Sequence, residues 1–270
     1  GRTVTRTGRI YLGADGELAS FTKKFADPEM AVKTSFLTAE AMFELAKQYR
    51  ELDEPEKAQD HIAEGKMMLE EALEDYPDTT LKARGDFLLA NLEEELNNHH
   101  EAVVRYSQVI RNYPDSEFAS RSQFKKGLNY EKLERYEQAT EAYVRTTYIY
   151  PDETDLVAKA TVRLARYYYQ KEKYDTAGSI FSKFQERNPN HAMAAMAGFL
   201  AADCHKQMGN FRKAAELFEK VVEAYPDNKS VRSEAMYWRG HCLYEVREFV
   251  EAYRAFKNLT WEYPETKWAK

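Results

Sequence analysis

The chain of 270 residues is 43% hydrophobic and 13% aromatic, enough apolar material to bury a substantial core. No apolar run approaches the roughly 18 residues of a membrane-crossing helix, so a direct membrane span is not expected. With 39 basic against 45 acidic side chains and no basic stripe, the composition also argues against a nucleic-acid binder.

Residues 1–33 read as an N-terminal arm. Polar and apolar residues alternate around Gly8 and Gly13, as in a short hairpin or a flexible arm. Phe25-Ala26-Asp27-Pro28 then looks like the end of a degenerate repeat. Residues 34–77 read as an atypical, lengthened first repeat. It starts near Thr34, with a small residue at Ala46 and a ring at Tyr49. Asp53-Glu54-Pro55 follows as the expected cap and first turn of a helix running to about Asp75. Gly65 stands where a packing alanine belongs. Its 19-residue separation from Ala46 makes the unit seven residues longer than those after it.

From residue 78 to 264 one pattern recurs five times, with a period of 37 or 38 residues. A small residue falls at Ala90, Gly127, Ala165, Ala202 and Gly240. Twelve residues later comes Ala102, Ala139, Ala177, Ala214 or Ala252, and four beyond that an aromatic: Tyr106, Tyr143, Phe181, Phe218 or Phe256. Each copy closes on Pro114, Pro151, Pro189, Pro226 or Pro264. A fixed period of this size means stacked supersecondary units. Small residues on two facing helices allow a close crossing, the ring one turn on fills the space beside it, and proline ends the second helix. A single hairpin cannot bury its own apolar face, so neighbours stack. Ala139 is accordingly expected to be buried at a helix crossing. Residues 265–270 read as the start of a truncated next repeat or a cap, with Trp268 and Trp261 folding back over the last hairpin as the alternative.

Gly127, Tyr130, Ala139, Tyr143 and Pro151 match the G-x2-Y, A-x3-F, P pattern of the tetratricopeptide repeat, and the chain resembles that family over roughly residues 36–264. It departs from the pattern in lacking the early tryptophan and in placing His205 and Leu243 where the family has tyrosine. The resemblance implies an all-α, right-handed solenoid of about six antiparallel hairpins. Units with Pro-Asp-Ser after the Tyr-Pro look like those of bacterial cell-envelope proteins, the Tol–Pal coordinator and the outer-membrane barrel-assembly lipoprotein among them. A periplasmic or envelope location would follow, with the cytoplasm as the alternative.

Charge is uneven. Residues 51–101 hold 16 acidic and 4 basic side chains, a local charge of −12. These are expected as unmatched glutamates on a solvated face, or else as a docking surface for a basic partner. Chemistry is sparse, with no phosphate loop, nucleophile elbow or H-E-x-x-H. Cys204-His205 and His241-Cys242 could hold zinc only if all four groups converged. Adjacent helical residues point about 100° apart, so free, mostly buried thiols are expected, with no metal, no cofactor and no enzyme activity. His61, His99 and His100 are expected at the surface.

Function then rests on surface. The resemblance implies that the first helices line a concave groove, into which fixed positions of each helix project. One residue after the small one the column reads Asn91, Leu128, Arg166, Asp203, His241, and four after it Glu94, Glu131, Tyr169, Lys206, Tyr244. Three before it stand Phe87, Phe124, Val162, Phe199 and Tyr237, either packing between units or an apolar groove stripe. A clamp for a chaperone's terminal carboxylate would need lysine where Phe87 and Phe124 stand. The expected function is a protein-binding scaffold that takes a partner's peptide or helix through Phe87, Asn91, Phe124, Leu128, Arg166, Tyr169, Phe199, Asp203, Tyr237, His241 and Tyr244, with Tyr169 and Tyr244 partly exposed and their hydroxyls in water. The alternative is a regulatory segment of a larger enzyme.

Overall fold

The computed structural model describes residues 28–76 and 80–269, all of it helix and turn. Of the expected arm over residues 1–33, residues 1–27 lie outside the described residues and 28–33 are helical. The chain divides into two compact units, residues 1–135 and 136–270. The first holds α1 (Pro28–Glu51), α2 (Pro55–Asp75), α3 (Lys82–Glu95), α4 (His99–Asn112) and α5 (Glu117–Lys132). The second holds α6 (Tyr136–Ile149), α7 (Thr154–Gln170), α8 (Tyr174–Arg187), α9 (Ala194–Gln207), α10 (Phe211–Ala224), α11 (Lys229–Glu245) and α12 (Phe249–Glu262). Each unit is all α, its helices stacked in antiparallel hairpins.

Six turns after the first helix of each pair are built alike. Asp53, Asn97, Glu134, Glu172, Gly209 and Arg247 all have φ between 56° and 75°. The N–H of that residue bonds to the carbonyl three residues back, and the next N–H reaches five back: in α7, Glu172 N to Tyr169 O at 3.0 Å and Lys173 N to Tyr168 O at 2.9 Å. This is the Schellman ending, which satisfies the last carbonyls of the helix with one left-handed residue. The second helices stop differently. Tyr113, Tyr225 and Tyr263 each donate an N–H to the carbonyl four residues back, at 2.8–3.1 Å, and the proline that follows bars another turn.

Two boundaries differ from the sequence expectation. Helix α1 begins at Pro28 rather than near Thr34, proline being well suited to a first helical position. Asp53 does not cap α2. It is the left-handed residue closing α1, and Glu54 occupies the cap position without a side-chain bond.

The crossings are close where small residues were expected. A Cβ on Gly65 would lie 2.7 Å from the Phe43 ring, and one on Gly240 2.8 Å from Phe256, the aromatic of its own repeat. Ala90, Ala102, Ala165, Ala177, Ala202 and Ala214 have no exposed surface, and Ala139 is buried. In the second unit, Phe199, Phe218, Val221, Ala235 and Cys242 belong to one core cluster, Ala165, Ala177, Phe181 and Phe184 to another. Trp268 does fold back, its ring 5.2 Å from Tyr237 and 6.3 Å from Trp238, while Trp261 stays 83% exposed.

Five of the six left-handed positions carry a side chain where glycine would sit without strain. Glu172→Gly should therefore raise stability in urea unfolding by roughly 0.5–1 kcal/mol, and Gly209→Ala should lower it by about 1 kcal/mol. Equal midpoints for Glu172→Gly and the parent would mean the turn is not strained.

Candidate partner-binding face

Within each unit the first helices are neighbours of one another, α3 beside α5 and α9 beside α11. Their side chains divide between building the stack and facing solvent. The apolar column goes largely to building. Phe87 is buried, with Tyr106 and Phe118 at 5.9 and 5.3 Å between ring centres. Phe199 is buried against Phe218 at 5.3 Å. Phe124 is half-buried, and Tyr237 packs edge-on or tilted against the Trp238, Phe256 and Trp268 rings.

In the first unit the two polar columns are tied into a buried network. The Tyr106 hydroxyl, with no exposure, lies 2.6 Å from Asn91 Oδ1 and 2.8 Å from Glu94 Oε2. Lys125 Nζ donates to Glu94 Oε1 at 2.9 Å, and the buried Asn129 amide donates to Glu94 Oε2 at 2.9 Å. His99 Nδ1 sits 2.8 Å from Asn129 Oδ1, so this histidine is not the idle surface residue expected. Burial pushes the Glu94 carboxyl up, but Lys125, Asn129 and Tyr106 outweigh it and hold the group below the usual carboxylate range. Leu128 is half-buried.

Glu93 is the clearest departure from the picture of unmatched acids. It is 2% exposed and takes Lys66 Nζ at 2.7 Å, the Asn98 amide at 2.9 Å and Arg105 Nε at 3.7 Å. Burial again raises its carboxyl, and the bonds from Lys66 and Asn98 bring it below the ordinary value. The sequence did carry a signal: Glu93 occupies the position at which Tyr130 and Tyr168 stand in later repeats. Asn129 shares its position with Leu92, Cys204 and Cys242, all buried, so a polar side chain there needs an internal partner.

In the second unit Asp203, 9% exposed, accepts from the Tyr169 hydroxyl at 2.8 Å and pairs with Lys206 Nζ at 2.5 Å. The Tyr169 hydroxyl is therefore held rather than wet. Burial, then the Asp203 bond, pushes that phenol above its usual value. The Lys206 ammonium also lies 3.5 Å from the centre of the Trp238 ring. Arg166 is exposed, His241 is half-buried with Glu245 3.8 Å away, and Tyr244 is 59% exposed beside Phe249.

Cys204 and Cys242 are free and buried. Burial, reinforced by the Asp203 charge, pushes the Cys204 thiol up to about 12, and burial raises Cys242 to about 11. No cluster of three or more metal-ligating side chains occurs among the described residues, and no described helix is long and apolar enough to cross a membrane.

Repeat register, Schellman-closed hairpins and a first-helix face define a helical-repeat protein. Four models described as tetratricopeptide repeat match it, over residues 86–116, 120–153, 156–227 and 199–259. Together they span more than half its length, and the chain belongs to the tetratricopeptide-repeat family. No curated protein matches it in sequence. Among solved structures, the apo form of RapI is similar at 12% identity with a TM-score of 0.55, covering 87% of this chain and 77% of RapI. YrrB, a repeat protein with an unusual peptide-binding site, is similar at 19% identity and 0.51, covering 74% of this chain and 95% of YrrB. A repeat protein from Parabacteroides merdae gives 15% identity and 0.46, covering 84% and 79%. At these identities the likeness is one of fold.

Two outcomes follow from the buried groups. Glu93 and Glu94 bind a proton more weakly folded than unfolded. Their stabilisation is complete above the ordinary value of 4.5 and drains as pH falls below it. Urea melts from pH 7 to pH 3 should show a steep acid limb that Glu93→Gln and Glu94→Gln make shallower; an unchanged limb would remove both from the account. At pH 8 iodoacetamide should leave both thiols of the native protein unlabelled and add two labels after denaturation without reductant, read by mass spectrometry.

Proposed function

We propose that this protein is a non-catalytic scaffold that takes a peptide or helix of a partner protein on the first-helix face of its second unit, formed by α7, α9 and α11. The observation that carries this reading is a surplus. Arg166, Tyr244 and the edge of His241 lie on helices whose opposite sides already complete the core, and the fold makes no use of the Arg166 charge or of most of the Tyr244 ring. Aromatic and arginine side chains placed this way commonly anchor interfaces. That YrrB has a peptide-binding site on a similar fold is in keeping with it. A role in envelope assembly is a narrower form of the proposal, for which the Pro-Asp-Ser segment after Tyr113 speaks.

The test must spare the fold. Tyr169 is a poor choice, because its removal would strip Asp203 of a bond. Arg166→Ala with Tyr244→Ala removes only exposed groups. It should weaken a bound partner peptide by about tenfold or more in fluorescence anisotropy, with the helical circular dichroism and melting temperature unchanged. If the partner docks instead on the acidic residues 51–101, the double variant will bind normally and raised salt will release the complex.

A further inference from the structure

The chemistry of the partner is legible in how charge is laid across that face. On α7 the solvent side is set by the buried Val157, Ala158, Ala160, Thr161, Leu164 and Ala165. Opposite them lie Lys159, Arg163 and Arg166, all exposed and spaced four and three residues apart, one stripe up the helix. The helix also carries Asp155, which is engaged by His191 Nε2 at 3.1 Å. Four arginines of this unit are neutralised in place: Arg145 by Glu141, Arg212 by Glu248, Arg232 by Glu262 and Arg239 by Glu219. Lys159 and Arg166 have no such partner among the described residues, so their charge faces outward.

The corresponding positions change character from helix to helix. On α9 they read Met196, 40% exposed, then the half-buried Leu200, then Asp203, whose charge Lys206 already cancels. On α11 they read Glu234, Trp238 and His241, with Glu245 one turn beyond and 3.8 Å from His241 Nε2. A segment crossing from α7 to α11 meets cations first, then apolar and neutral groups, then the Trp238 ring, over which Lys206 Nζ lies at 3.5 Å, with Glu234 and Glu245 on the same helix.

We infer that the partner segment is acidic at the end lying on α7 and apolar where it crosses α9, a directional acidic–apolar peptide. This rests on the scaffold reading above and adds the ligand class and its polarity. Guanidinium groups take carboxylates in paired hydrogen bonds, and a free Arg166 loses no existing bond in doing so. The carboxylates at the α11 end repel the same acidic segment laid the other way round, which fixes direction. The unpaired cations also speed encounter at low salt.

The experiment is selection from a displayed library of random peptides of about 12 residues against the whole chain, with selected peptides resynthesised and measured by anisotropy. Acidic residues should be enriched towards one end of the binders, beside an apolar residue. Lys159→Glu with Arg166→Glu should weaken such peptides by at least about tenfold and favour counterparts in which lysine replaces each acid. Binders without acidic enrichment, or acidic binders indifferent to the charge reversal, overturn the inference; the scaffold reading then stands if Arg166→Ala with Tyr244→Ala still weakens them. A library that yields no binder to the folded chain overturns both.

Discussion

Everything in this molecule depends on helices being allowed to approach closely at small residues. At Gly240 a single added carbon would run into the Phe256 ring, and at Gly65 into Phe43. The fully buried alanines do the same work elsewhere. Because the crossing is tight, the aromatic one turn beyond each alanine is enclosed, and the position of the next hairpin is set by packing rather than by loops. The first helices are thereby held side by side within each unit, and a side chain such as Arg166 is placed outward without having to stabilise anything.

That division of labour explains which parts of the molecule could be read from sequence. Periodic alanines and rings are a packing requirement, so they recur at fixed spacing, and the hairpins follow from them. The six left-handed turns left almost no trace. Gly209 and Asn97 are residues such a turn favours and Asp53 tolerates it, whereas Glu134, Glu172 and Arg247 adopt the conformation against their own preference. An aspartate just before a helical proline has the pattern of a cap, yet Asp53 closes the preceding helix instead.

The candidate face was legible by position and less so by state. Column spacing picked out Arg166, Asp203, His241 and Tyr244, but could not distinguish a side chain facing solvent from one consumed inside. Phe87 and Phe199 went to the core, Asn91 to the Tyr106 network, and Asp203 to Tyr169 and Lys206. The acidic stretch shows the same effect from the other side. Glu93 and Glu94 count as surface charge in the sequence, yet each is satisfied by bonds from neighbouring helices. A column predicts where a side chain starts; what lies across from it depends on the next repeat.

On the first helices of the second unit, the side chains that the fold leaves unused, Arg166 and Tyr244 above all, are available for recognition. Amide chemical-shift mapping on the labelled chain, titrated with a binding peptide, tests it most directly. Shifts should concentrate on α7, α9 and α11 around Arg166, Met196, His241 and Tyr244, with α8, α10 and α12 little changed. Shifts confined to those second helices, or to the acidic residues 51–101, would contradict it.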